Sequence, residues 1–168
     1  VTAWYVICDA VSTDTTSKAI KLFSSDKTPL AIFRFGNEVV QDNKHDAAIL
    51  QDVPPAILKN IPLLPSNMDL LTKGDRISAY QHHFSESRFS FELHSGDLLR
   101  VGEPSEEGTL CYTNCSFRHG MSGGPVFNDL GQVVGIVHTA TEHGQLGSFL
   151  PLKDCIRSTE DYGRWLLC

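Results

Sequence analysis

Residues 120–138, "GMSGGPVFNDLGQVVGIVH", carry the strongest structural and chemical signal in this 168-residue chain. Apolar residues on both sides of "NDLG" predict two strands joined by a tight hairpin connection at 127–132. The glycine two residues before Ser122 allows a backbone turn in which the N–H groups of Gly120 and Ser122 face one cavity, as an oxyanion hole requires. A turn without chemistry is the alternative interpretation of a short Gly-x-Ser-Gly-Gly sequence. The longer Gly-Met-Ser-Gly-Gly-Pro sequence, followed by a hairpin, favours Ser122 as a nucleophile.

Short strands dominate the rest of the chain. Segments rich in β-branched and aromatic residues are separated by Gly, Pro, Asn, Asp or Ser, and they predict strands at 1–8, 19–24, 30–35, 47–51, 76–80, 88–93, 108–113, 124–127, 132–138 and 147–152. Apolar residues at helical spacing predict one helix at 152–167, weakened in its last turn by Gly163. Many strands and one terminal helix indicate an all-β protein of the barrel or sandwich class.

Composition excludes several classes of function. The net charge of −6 and the lack of a Lys/Arg cluster argue against nucleic-acid binding. No apolar run approaches the roughly 18 residues of a membrane span. The chain has five cysteines without a Cys-x-x-Cys pair, so we expect neither a metal site nor a cofactor. Their odd number favours reduced structural thiols, which are typical of intracellular proteins. The sequence does not determine the location of the protein.

Several segments together resemble the chymotrypsin-like serine proteases of the trypsin fold, in the style of the HtrA-type, compact viral and glutamyl-specific members. Residues 120–138 resemble the nucleophile segment of that family, and "HDAAILQ" (45–51) resembles its Asp-x-Ala-x-Leu strand. The segments "KGDRISAYQHH" (73–83), "HSGDLLRV" (94–101) and "GSFLPL" (147–152) resemble strands of its second barrel.

The resemblance implies a single domain of two six-stranded antiparallel β-barrels, with the site in the cleft between them, and a C-terminal helix. The expected parts are a partial N-terminal barrel at 1–60, a crossover at 61–73, a C-terminal barrel at 74–151 and the helix at 152–168. In the family, about two strands precede the residues that match the start of this chain. We therefore expect a preceding segment or another chain to complete the first barrel.

The resemblance also implies the site residues. It makes Ser122 the nucleophile, Asp46 the triad carboxylate, and the N–H groups of Gly120 and Ser122 the oxyanion hole. A residue near Gly147 should form the far side of a substrate pocket whose other walls come from Ser116, Phe117, His119, His138, Thr139 and Ala140. Because no carboxylate lies at the pocket base, a Glu, Gln or small polar side chain is the expected occupant, rather than Arg or Lys. The alternative interpretation is that Ser116 and Thr139 are ordinary strand residues whose hydroxyls have no role in substrate recognition.

One position departs from the family. The general-base histidine belongs to a Thr-Ala-x-His segment, and the matching "VTAWYVIC" (1–8) has Tyr5 at that position. An imidazole with a pKa near 6.5 accepts a proton at neutral pH, whereas a phenol with a pKa near 10 keeps its own. A neighbouring carboxylate such as Asp46 further disfavours the phenolate. His138 is the best substitute base that the sequence offers.

Two main hypotheses of function follow. The first is a serine endopeptidase domain that is inactive or impaired because Tyr5 replaces the base. The second is a protease-fold module that binds an extended peptide or protein segment without cutting it. A third hypothesis is a scaffold domain that keeps the serine motif only for folding. Independently of these, Tyr5 could be an altered form of a histidine in a parent enzyme that is a working protease. The sequence leaves the natural substrate and the oligomeric state open.

Overall fold

The computed structural model of this protein describes residues 2–3, 19–23, 28–34, 39–42, 47–50, 53–54, 71–84, 89–105, 108–141 and 146–157, which contain strands and one short helix. The strands are β1 (Thr2–Ala3), β2 (Ala19–Phe23), β3 (Pro29–Arg34), β4 (Val39–Asp42), β5 (Ala47–Leu50), β6 (Arg76–Phe84), β7 (Phe89–Ser105), β8 (Gly108–Thr113), β9 (Pro125–Asn128), β10 (Val133–Thr139) and β11 (Gly147–Pro151). The helix α1 covers Leu152–Arg157.

The second half of the chain forms a closed six-stranded barrel in the order β10-β11-β8-β7-β6-β9. All of its strand pairs are antiparallel, and closure leaves no open sheet edge. Its interior is filled by buried side chains that come from every strand of the barrel and from the loop between β8 and β9. The largest of them are Phe117, Phe149, Ile77, Leu98 and Met121. The sequence prediction of an all-β barrel fold is confirmed.

Strands β10 and β11 are buried on both faces, which explains why their sequences are apolar without alternation. One face packs into the barrel interior. The other face lies under α1, where Ile136, Leu150 and Leu152 form a second apolar cluster. The helix therefore closes the outer side of the barrel at these two strands. No helix in the described part of the chain combines the length and hydropathy needed to cross a bilayer.

The structure joins two predicted segments into one strand. Residues 89–93 and 94–101 belong to β7, a single strand of 17 residues, and Arg88 of the first predicted segment lies outside the described residues. A Cβ at Gly96 would overlap the backbone of Cys115, so close packing of two backbones requires this glycine. Strand β4 was not predicted from the sequence, because its residues "VVQD" include too few apolar positions to stand out.

The described strands of the first half form two small sheets. One has the order β1-β5-β4, and the other is the β2–β3 hairpin. Phe33, Val39 and Ala48 form their buried cluster. The predicted first barrel and the division at 1–60 and 61–73 remain predictions. Helix α1 coincides with the start of the predicted C-terminal helix, and residues 158–168 of that prediction lie outside the described residues.

Candidate active site

The segment before Ser122 forms a β-turn anchored in the barrel core. The Met121 N–H donates to the Arg118 carbonyl oxygen (3.1 Å), and Gly120, the third residue of this turn, has φ of +86°. A positive φ at that position is what a type II turn requires, and glycine adopts it without strain. The Met121 side chain is buried, and its Sδ accepts a hydrogen bond from the Arg118 N–H (3.1 Å). The residue between Gly120 and Ser122 thus fixes the turn to the interior.

Backbone N–H groups around Ser122 divide into two sets. Those of Met121, Gly123 and Gly124 donate to the carbonyl oxygens of Arg118, Val137 and Met121, at 3.1, 2.8 and 2.9 Å. Those of Gly120 and Ser122 donate to no group within the residues that the structure describes. These two are the N–H groups that the sequence assigns to the oxyanion hole. The arrangement leaves both of them available to an oxygen atom placed beside the Ser122 turn.

Residues 118–124, which contain the predicted nucleophile and are here called the nucleophile turn, are tied to β10. The Gly123 N–H donates to the Val137 carbonyl oxygen, and the Val137 N–H donates to the Gly124 carbonyl oxygen (2.9 Å). Ser122 is half-buried beside this strand. The chain direction therefore brings Ser122 close to the residue that follows Val137, which is His138.

His138 occupies a β-bulge. Val137 is opposite Phe149 and Thr139 is opposite Ser148, so His138 is an additional residue on β10. His138 is buried, like the four residues before it on β10. Next to it, the Thr139 and Ser148 hydroxyls share a 2.7 Å hydrogen bond.

The predicted pocket walls lie side by side. The Thr141 N–H donates to the Phe117 carbonyl oxygen (2.8 Å), which joins residues 116–119 to the segment after β10. A Cβ at Gly147 would come within 2.8 Å of both the Phe117 ring and the Thr141 Oγ1, so Gly147 packs directly against these two residues. Ser116, His119 and Thr139 are exposed, Ala140 is half-buried, and Phe117 is fully buried in the barrel core.

Asp46 and Tyr5 lie outside the described residues, and their positions relative to Ser122 remain predictions. The strands next to them in sequence are paired, with Ala3 of β1 opposite Ala47 of β5. Residues of β1 also lie within 8 Å of β10, measured between Cα atoms. The strand that precedes Tyr5 thus runs close to the strand that supports the nucleophile turn.

Cys111 and Cys115 are not candidates for catalysis. Cys111 and Cys115 are free and fully buried, so their spacing does not reflect a disulfide. Burial raises the pKa of Cys115 to about 11, although the charge of Arg76 acts in the opposite direction. Burial also raises the pKa of Cys111. Both thiols stay protonated at neutral pH and serve as apolar core residues.

The sequence matches the family model described as trypsin-like peptidase domain over residues 1–136. The chain belongs to this family. The match includes the nucleophile turn, both described sheets of the first half and most of the barrel. No curated protein sequence matches the chain significantly.

Solved structures with the same fold include several proteases. A variant of the HtrA-type protease AlgW with a decapeptide is 18% identical, with a TM-score of 0.67 over 98% of this chain and 50% of that chain. Deg5 is 19% identical (TM-score 0.62, 93% of this chain and 74% of that chain). The inactive form of the M. tuberculosis protease Rv3671c is 16% identical (TM-score 0.63, 97% and 78%). This trypsin-like peptidase domain spans about half the length of the AlgW chains.

Two residues with clear roles in the geometry were missed by sequence reasoning. Met121 anchors the nucleophile turn, and Thr141 joins two segments that were predicted as pocket walls. The sequence could have indicated the role of Met121, because a large apolar residue between two turn residues is expected to pack into the core. It gave no indication of the role of Thr141, because the partners of this residue lie 24 and 26 positions away in the sequence.

Proposed function

We propose that this chain is a serine endopeptidase domain in which Ser122 is the nucleophile and Tyr5 impairs turnover. One observation carries the proposal. The N–H groups of Gly120 and Ser122 donate to no group among the described residues, while those of Met121, Gly123 and Gly124 are bonded internally. Gly120 is exposed and Ser122 is half-buried, so their N–H groups can donate to an oxygen atom of a bound ligand, as an oxyanion hole requires.

The chemistry assigned to these groups is acyl transfer. The Ser122 Oγ attacks the carbonyl carbon of a peptide bond, and its proton passes to a base. The developing oxyanion accepts hydrogen bonds from the Gly120 and Ser122 N–H groups, and the base then protonates the leaving amine. Water hydrolyses the acyl-enzyme by the same steps. Asp46 would orient the base, which in related proteases is an imidazole.

Tyr5 at the base position explains why we expect impaired turnover. A phenol near pKa 10 does not accept the Ser122 proton at neutral pH, and the Asp46 carboxylate would make the phenolate still less favourable. Loss of the base from such a triad leaves about 10³–10⁴-fold acceleration over water, supplied by the oxyanion hole and binding. His138 is the alternative base, and its burial beside the nucleophile turn keeps it in consideration.

The substrate in this proposal is an extended peptide that lies between the N-terminal part at 1–60 and the barrel at 74–151. The decapeptide named with the AlgW structures supports this kind of ligand. A Glu, Gln or small polar side chain would enter the pocket, where the exposed Ser116 and His119 offer hydrogen-bonding groups. Burial of Phe117 against Gly147 supports a shallow pocket of this kind.

A peptide-binding module without turnover is the second candidate, and Tyr5 is the observation that favours it. Both candidates use the same cleft, so fold alone does not separate them. They differ in whether Ser122 is activated.

A fluorophosphonate probe, which reacts only with an activated serine, separates these candidates. The chain as it stands, Tyr5→His, Ser122→Ala and the double variant would be compared at pH 7.5. We expect slow labelling of the present chain, labelling faster by several powers of ten in Tyr5→His, and none with Ser122→Ala. Absence of labelling in Tyr5→His, with the fold intact by circular dichroism, would refute the endopeptidase proposal.

A further inference from the structure

The Thr141 hydroxyl connects two segments of the pocket that are distant in sequence. It donates to the Cys115 carbonyl oxygen (2.9 Å) and accepts from the Phe117 N–H (3.1 Å). The Thr141 N–H adds a bond to the Phe117 carbonyl oxygen (2.8 Å). We propose that Thr141 is a positioning residue for substrate binding, because it fixes the place of Ser116 in the pocket wall. The inference rests on the proposed function, since it assigns Ser116 to a peptide-binding pocket.

Residues 115–117 form a three-residue turn that needs external support. The Phe117 N–H donates to the Cys115 carbonyl oxygen (2.8 Å), which places Ser116 at the apex. Hydrogen bonds between residues i and i+2 are bent and weak, so such a turn is readily lost when nothing else holds it. The Thr141 hydroxyl bonds to both ends of this turn, using its single donor and one of its acceptor sites.

Packing restricts both the turn and the threonine. Cys115 and Phe117 are fully buried on either side of the exposed Ser116. A Cβ at Gly147 would come within 2.8 Å of the Thr141 Oγ1, so the hydroxyl contacts the first residue of β11. Three chain segments therefore meet at this hydroxyl. Its loss would free the Ser116 apex to move while both neighbouring side chains stay in the core.

Thr141→Val is the appropriate variant, because it removes the hydroxyl at nearly constant volume, and Thr141→Ser is the conservative rescue. Thr72→Val is a matched control. It removes a hydroxyl hydrogen bond of 2.8 Å, to Asp75 Oδ1, in the turn before β6. Strand β6 pairs there with the end of β9 that is remote from Ser122, since Ile77 is opposite Asn128.

The first measurement is peptide binding in the Ser122→Ala background, where no turnover occurs. The probes are fluorescein-labelled decapeptides of alanine with Glu, Gln, Ser, Leu or Arg at one central position, and the readout is fluorescence anisotropy. We expect Thr141→Val to weaken binding of the tightest peptide about tenfold and to reduce the differences among the peptides. Thr141→Ser and Thr72→Val should bind as the parent does.

The second measurement is the rate of fluorophosphonate labelling in the Tyr5→His background, since this small probe needs the nucleophile and the oxyanion hole but not the pocket. Thr141→Val should leave that rate within about twofold of the parent, as expected for a residue that acts on the pocket alone. A parallel loss of labelling and binding would show that Thr141 supports the whole site, which would overturn its assignment to the pocket.

The remaining outcomes are also decisive. Unchanged peptide binding in Thr141→Val would overturn the inference, and so would a Ser122→Ala parent that binds none of the peptides. Failure of the Tyr5→His form to be labelled would refute the endopeptidase proposal alone. In that case, binding lost in Thr141→Val and restored in Thr141→Ser would still support the role of Thr141 in a peptide-binding module.

Discussion

At the scale of single residues, the positive φ of Gly120 sets the conformation of the turn from Arg118 to Met121 that precedes Ser122. A non-glycine residue at φ of +86° costs about 1–2 kcal/mol, and a change to another turn type relieves that strain. A Cβ at Gly120 would meet no atom within 4 Å, so the effect of a substitution there is conformational and not steric.

Gly120→Ala should therefore destabilise the protein by about 1 kcal/mol and reduce fluorophosphonate labelling in the Tyr5→His background at least tenfold. Gly131→Ala is the matched control, because Gly131 has φ of +72°, an equally open Cβ position and a place in the β9–β10 connection. It should show the same loss of stability in urea unfolding and normal labelling. Equal labelling of the two variants would contradict the assignment of the Gly120 N–H to the oxyanion hole.

The raised pKa of Cys115 predicts a dependence of stability on pH. Because the thiol ionises near pH 9.0 in the unfolded chain and near 11 in the folded one, its contribution is complete below pH 9 and is lost as the pH rises towards 11. Urea unfolding under reducing conditions should show a steeper alkaline loss of stability in the parent than in Cys115→Ala. Parallel curves between pH 8 and 11 would show that Cys115 titrates normally.

At the scale of secondary-structure elements, close approach of backbones decides the shape of the barrel. Gly96 of β7 lies against the chain that leaves β8, where the Asp97 N–H also donates to the Asn114 Oδ1 (2.6 Å). The Thr113 Oγ1 donates to the Asp97 carbonyl oxygen (2.9 Å) and accepts from the Cys115 N–H (2.9 Å). These contacts hold residues 113–115, which directly precede the predicted pocket wall, against β7.

Gly96→Ala should destabilise the protein by about 2–4 kcal/mol, because the added Cβ collides with backbone atoms that cannot rotate away. Gly74→Ala provides the contrast. A Cβ at Gly74 would meet no atom within 4 Å, so the variant has no steric clash. The remaining cost of about 1 kcal/mol comes from the positive φ of this residue. Thermal or urea unfolding of the two variants measures the difference. Equal losses would mean that β8 and β7 are less closely packed than described.

At the scale of the whole molecule, the largest buried apolar cluster among the described residues fills the closed barrel. Phe149 is fully buried in its interior, whereas Phe91 on the β6–β7 ribbon is 54% exposed and contacts the His82 ring edge-on at 4.9 Å. The two phenylalanines are matched in size and differ in surroundings. Phe149→Ala leaves a cavity between strands, while Phe91→Ala removes a side chain that water already surrounds.

We expect Phe149→Ala to cost about 3–5 kcal/mol and Phe91→Ala about 1 kcal/mol or less in the free energy of unfolding. Denaturant unfolding followed by intrinsic fluorescence measures both. A comparable loss in the two variants would mean that the β6–β7 ribbon is covered in solution, since an exposed aromatic ring contributes little to folding.

Local sequence determined the fold class, most strand positions and the nucleophile turn. Those features depend on residues close together in the chain. In the β9–β10 connection, for example, the Asn128 Oδ1 accepts from the N–H groups of Leu130 and Gln132, which are two and four positions away. Glycines in the Ser122 segment likewise encode the turn itself. The family resemblance added the assignment of Asp46 and Tyr5, which stays a prediction.

Tertiary structure alone decided the continuity of β7, the bulge at His138 and the link from Thr141 to the pocket. Each of these depends on partners far away in the sequence: Gly96 meets Cys115, β10 changes register against β11, and Thr141 bonds to Cys115 and Phe117. A glycine required by a crossing backbone has the same sequence signature as a glycine in a turn. Only the folded arrangement of the strands distinguishes the two, because the contact that requires the glycine forms when the barrel closes.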